Sequence, residues 1–245
     1  MSFPTTISYR EVIKKSVVYK MKSNLGYLLT LVIVQLVGLA FSAMATYTSG
    51  NSFIRVETIS ADFVLGISFL WMFILGVQLI NKDSRSNDVH FVINGTTQVI
   101  SNVMILILAS IICGLTSFMS GYILRVFHII FGQIDTYYYV TNTSISAVVI
   151  GLSGMTLYAF VFGMIGYFIS NLMQWYKVTI LIVVMLVVGF DVLMEKVRGD
   201  YLLFESVKTL YFQQPSFLSF VVHVSLLVAV LFGVTILVAR RLEVR

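Results

Sequence analysis

The sequence predicts an all-α, polytopic membrane protein: an amphipathic helix, six transmembrane helices, and a re-entrant hydrophobic hairpin before the last span. Three observations carry that prediction. Of 245 residues, 58% are hydrophobic and 11% are charged, against roughly 25% charged in soluble domains, too few to coat a water-soluble fold. The charges cluster, leaving uncharged stretches at 23–54, 63–81, 91–124, 136–176 and 209–239, and a helical span needs about 20 apolar residues. Finally, these stretches are continuous runs of Leu, Ile, Val, Phe and Met, not the alternating segments of about 10 residues that make a membrane barrel.

Residues 5–24, TTISYREVIKKSVVYKMKSN, differ in character from the rest of the chain. Ile7, Val12, Ile13, Val17 and Met21 fall near helical spacing, while Arg10, Lys14, Lys15, Lys20 and Lys22 occupy other parts of the wheel. This pattern predicts a helix lying on the cytoplasmic lipid surface, each basic residue near anionic lipid contributing about 1 kcal/mol. An ordinary positively charged flank of the first span is the simpler alternative.

The spans are read at 25–46, 59–80, 99–120, 145–168, 178–194 and 217–239. The fifth is the shortest and carries Asp191 near its end, where a charge costs much less than at mid-membrane. The only prolines, Pro4 and Pro215, lie at span edges. The first apolar run is too long and starts too late for a cleavable signal peptide. The fourth span carries the small residues Gly151, Gly154, Ala159, Gly163 and Gly166, with Ser170 just beyond, and the pairs Ala159/Gly163 and Gly166/Ser170 have the small-xxx-small spacing that lets helices approach closely.

With both termini cytoplasmic, the inner segments hold eleven Lys and Arg, and the outer ones hold five: Arg55, Arg125, Lys196, Lys208 and Arg198. That asymmetry agrees with the positive-inside rule, and two basic ends on one side require an even number of spans. The net charge of +5 is thus a topology signal, and no nucleic-acid partner is called for. The cytoplasmic loop 81–98 mixes charges to zero net beside Val89, Phe91, Val92 and Ile93. It either joins two helices or presents a short helix to a soluble partner. The outer segment 195–216 has apolar clusters too short to span and too hydrophobic for a free loop, so a re-entrant hairpin is expected. The loop 121–144 resembles it in part.

Catalytic motifs are scarce. No GxxxxGK[ST] phosphate loop occurs, no HExxH or Cys/His cluster points to a metal, and Cys113 is alone. Residues 151–154, GLSG, and 90–94, HFVIN, resemble fragments of rhomboid intramembrane proteases, which would pair Ser153 with His223. The topology separates these pieces, with His90 and Asn94 at the cytoplasmic side and Ser153 and His223 near the outer one. Polar positions within spans, namely Gln35, Gln78, Asn102, Thr156 and Ser225, either line a cavity or bond neighbouring helices.

Surface helix, six spans, cytoplasmic loop after the second span and hydrophobic outer hairpin before the sixth together resemble the permease subunit of type-two ATP-binding-cassette exporters. The likeness runs from Thr5 to Arg245 and is greatest for stand-alone permeases of Gram-positive bacteria that export peptides or confer resistance to them. The resemblance implies a bacterial plasma-membrane location and an elbow helix at 5–24. It implies a coupling helix within 81–98, with Arg85, Asp88, His90 and Phe91 as the contact to a separate nucleotide-binding ATPase. It further implies a second permease subunit, identical or paralogous, no cofactor in this chain, and ATP with Mg held by the partner. An amphipathic substrate, such as an antimicrobial or cytolytic peptide, fits the paucity of intramembrane charge. A non-pumping scaffold or immunity protein and a secondary transporter are the competing classes.

Overall fold

A computed structural model of the chain describes residues 9–23, 25–44, 47–51, 54–58, 60–80, 95–131, 144–173 and 216–243. In order these form α1 (Tyr9–Ser23), α2 (Leu25–Met44), β1 (Tyr47–Asn51), β2 (Ile54–Thr58), α3 (Asp62–Gln78), α4 (Gly95–Phe131), α5 (Ile145–Met173) and α6 (Phe217–Glu243). The expected fifth span, the outer hairpin 195–216 and most of the loop 81–98 lie outside the described residues.

Among the described residues four helices, α2, α4, α5 and α6, are long and apolar enough to cross a membrane. The described part of the chain is therefore membrane-embedded and predominantly helical. Large apolar side chains face outward along the bundle, Leu29 at 67%, Leu36 at 59% and Leu226 at 64% exposure among them, as lipid-facing positions require. On α6 the buried residues Phe220, Val224, Thr235 and Ala239 fall on one stripe, half-buried Phe217, Val221, Leu227, Leu231 and Phe232 pack beside it, and Leu218, Val222, Leu226, Val230 and Leu237 are exposed.

The helix α3 is 17 residues long and apolar, about 25 Å at 1.5 Å per residue. It packs most extensively against α5 and next against α2. Small residues make the α3–α5 approach close. A Cβ on Gly76 would collide with the Gly163 carbonyl, and one on Gly166 with the Phe73 carbonyl. Met72, Leu106, Met164 and Ala159 fill the adjoining core with essentially no exposure, and Phe69 stacks on Phe162 at 5.2 Å between ring centroids. Close backbone approach of this kind supplies the packing that holds helices together where lipid removes the hydrophobic drive.

Three features depart from the sequence reading. The third span, expected at 99–120, is a helix of 37 residues, about 55 Å long and so longer than a bilayer core of about 30 Å. The apolar character that ends an ordinary span continues here through Ile123, Leu124, Val126 and Ile130, with no proline to stop the helix. Part of the expected loop 121–144 is consequently helical. Residues 47–58, which the sequence reading left unassigned between the first two spans, contain an antiparallel strand pair with Tyr47 opposite Thr58 and Asn51 opposite Ile54. Thr48, Ile54, Val56 and Thr58 are β-branched, which suits an extended ladder. The described residues are thus helical apart from one small hairpin.

The third departure concerns α1. Its buried positions are Ser16 and Lys20, one helical turn apart, flanked by half-buried Val12, Ile13 and Val17. Met21, assigned to the apolar face, is exposed with Val18 and Tyr19. Lys14, Lys15 and Lys22 are exposed, and Lys15 pairs with Glu11 at 3.1 Å.

Candidate functional site

Polar side chains inside the bundle form two clusters, and a separate cavity opens at one end. The first cluster ties α1 to the bundle. Lys20, expected on the lipid surface, is only 4% exposed, and its Nζ donates to Asn102 Oδ1 at 2.8 Å. Asn102 Nδ2 in turn donates to the Tyr167 hydroxyl at 3.3 Å. The correction has a simple cause: a long apolar stem lets the ammonium reach inward, and a buried charge needs a polar acceptor. The amide supplies one, sequence-distant on α4. This cluster therefore spans α1, α4 and α5.

The second cluster centres on Gln35 of α2. Its Nε2 lies 3.2 Å from Ser68 Oγ, 2.9 Å from Thr116 Oγ1 and 3.1 Å from Ser117 Oγ. An amide has two N–H donors, so the three hydroxyls share them. The Thr116 hydroxyl also donates to the backbone carbonyls of Ile112 and Cys113. Nearby, Trp71 Nε1 donates to Thr30 Oγ1 at 3.0 Å, and Ser170 Oγ donates to the Val77 carbonyl at 3.1 Å. Each such bond satisfies a group that lipid cannot, and each fixes the register of two helices.

The five polar residues singled out as cavity candidates do not converge. Gln35 and Asn102 join different helix contacts, and Gln78 is half-buried near the far end of α3. Thr156 donates to the Leu152 carbonyl of its own helix at 2.9 Å and sits directly against Gly114. Ser225 is exposed on α6. Among the small residues of α5, Ala159, Gly163 and Gly166 are buried in contacts, whereas Gly154 has open space around its Cβ. Arg10 lies on α1. Arg85, Asp88, His90 and Phe91 lie outside the described residues.

Ser153 and His223 are not brought into a catalytic pair. The Ser153 hydroxyl donates to the Val149 carbonyl at 2.6 Å, and His223 Nδ1 lies 2.7 Å from the Ser219 carbonyl. Each side chain is thus occupied on its own helix. Among the described residues, no group of three or more His, Cys, Asp or Glu side chains is placed to hold a metal ion.

The cavity, of about 320 Å³, lies where α3 and α5 begin and α4 passes between them. Leu65, Phe118, Leu124 and Met155 make its apolar wall, and Ser60, Asp62, Ser117, Tyr122 and Arg125 its polar one. Arg125 lies over the Tyr122 ring, 5.6 Å from its centroid, a cation–aromatic arrangement common at membrane boundaries. Ser117 belongs to the Gln35 cluster too, so the cavity reaches the bundle's polar interior. Sequence reasoning counted Arg125 only as an outer basic residue and passed over Asp62, although each stands at the edge of an uncharged stretch, 91–124 and 63–81 respectively. A charge at a span boundary is a headgroup-depth marker, and two on adjoining helices define one end of a site.

Comparison with protein-family models, with curated proteins and with solved structures finds no match.

Proposed function

We propose that the chain is the permease subunit of an ATP-driven exporter, moving an amphipathic substrate through a path it forms with a second permease subunit. The observation that carries this reading is the anchorage of α1. The helix α1, immediately before the first span, is tied to the bundle by the bond from Lys20 to Asn102, so a push on α1 can be passed to α4 and, through Tyr167, to α5. That is the mechanical requirement of a subunit driven from outside by another protein. In this reading ATP and Mg are held by a separate nucleotide-binding ATPase.

In this scheme the chain crosses the plasma membrane six times with both termini cytoplasmic, residues 178–194 supplying the fifth span and 195–216 a re-entrant outer hairpin. Arg85, Asp88, His90 and Phe91 form the coupling contact by charge pairing and an aromatic anchor. ATP binding draws two ATPase subunits together, and α1 and the coupling loop carry that motion into the helices. The nearly charge-free span interiors favour an amphipathic peptide over a strongly ionic solute.

Purification from native membranes tests the proposal, together with inverted vesicles carrying the chain and its co-purifying partner. A stoichiometric ATPase and ATP-dependent accumulation of an amphipathic peptide are expected. Retention of the peptide without an ATPase and without ATP dependence would identify a sequestering scaffold instead.

A further inference from the structure

The cavity at the end of the bundle remote from α1 has chemistry that the export reading does not use. Arg125 lies roughly 35 Å along α4 from Asn102 at 1.5 Å per residue, so the cavity and the α1 anchorage mark opposite leaflets. Its walls divide cleanly. The apolar side is continuous with exposed apolar surface on α4 and α5, including Ile123, Val149 and Ile150, and acyl chains can lie along that surface. The polar side offers two opposite charges, Asp62 on α3 and Arg125 on α4, both exposed. Among the described residues neither belongs to an ion pair. An anion alone would suit Arg125 and be repelled by Asp62; a cation alone would meet the reverse.

A zwitterion satisfies both. The helix α3 begins at Ala61 with no side-chain cap, so its first amide groups, together with the Ser60 hydroxyl, can donate to an anion beside Arg125. Asp62, one residue on, offers a carboxylate to a neighbouring ammonium. The volume of about 320 Å³ corresponds to about ten waters at 30 Å³ each, enough for a head group and too little for a whole lipid, whose chains must lie outside.

We propose that this cavity is a head-group site for a zwitterionic phospholipid with a primary amine, the phosphate bound by Arg125 and the α3 N-terminus and the ammonium by Asp62. The primary amine matters because its N–H groups donate to the carboxylate, whereas a quaternary ammonium has none. The site is independent of what the bundle transports.

Native mass spectrometry of the full-length protein in detergent, titrated with phosphatidylethanolamine, phosphatidylcholine and phosphatidylglycerol of identical chains, tests it. The protein is expected to retain phosphatidylethanolamine about tenfold or more over the other two, as loss of a charge-assisted hydrogen bond dictates. Asp62→Asn should erase that preference, Asp62→Glu should keep it, and Arg125→Gln should weaken all three lipids. Equal retention of the three lipids by the unaltered protein overturns the proposal, and that comparison needs no variant to fold. A preference unchanged by Asp62→Asn overturns it too, as does saturable binding of a cationic amphipathic peptide in the cavity without any lipid preference.

Discussion

Removing the acceptor that Lys20 uses inside the bundle is the sharpest perturbation the fold offers. Asn102→Leu keeps the branched shape of the side chain but takes away the oxygen 2.8 Å from Nζ. A hydrogen bond to a charged group contributes about 1.5–3 kcal/mol, and Lys20 is too buried for water to compensate freely. The variant should therefore lose about 2 kcal/mol or more of stability. Lys20→Met, which retains the apolar stem and removes the charge, should cost less, because no ammonium remains to be satisfied. The double variant should be more stable than Asn102→Leu alone, a coupling of about 1–3 kcal/mol between residues in contact. Thermal unfolding in detergent reads this directly, 2 kcal/mol corresponding to a midpoint shift of about 4–8 °C for a chain of this size. Additive effects, or an Asn102→Leu protein as stable as the parent, would refute the idea that α1 is fastened here.

The same geometry dictates further outcomes. Gly76→Ala should destabilise by about 1–3 kcal/mol through overpacking, because the new methyl meets the Gly163 carbonyl, whereas Gly154→Ala, with open space around it, should leave the midpoint unchanged. Gln35→Leu should cost about 0.5–2 kcal/mol, the range of interhelical hydrogen bonds in membranes, since Thr116 already has backbone acceptors. Ser225→Leu, on an exposed face of α6, should be neutral in both stability and transport; a transport defect would place that residue on the substrate path. Charge reversal at Arg85 and Asp88 should weaken ATPase co-purification while insertion stays normal, and undiminished docking would remove the coupling contact from this loop.

The helices were legible to the degree that lipid writes them into the sequence. Uncharged stretches located α2, α5 and α6 within a few residues, because charge is excluded from a bilayer whatever the tertiary contacts. The length of α4 was not legible by that rule, which stops at one membrane thickness, while Leu124, Val126 and Ile129 continue the apolar pattern beyond it. Lys20 was misread because charge alone assigned it to the lipid surface. The turn that sets Ser16 beneath it was visible on the wheel, but Asn102, its partner 82 residues away, was not. The pair of carboxylate and guanidinium at Asp62 and Arg125 escaped for a similar reason. Each was a span-edge charge in isolation, and only the packing of α3 against α4 and α5 brings both to one cavity.

Placing a small epitope at each end of the intact chain and probing right-side-out vesicles with impermeant antibody or protease tests the central claim most directly. Both ends should be shielded in right-side-out vesicles and both exposed in inverted ones, as an even-numbered, inward-anchored bundle requires. One end reachable from outside and the other from within would contradict the topology on which the permease reading is built.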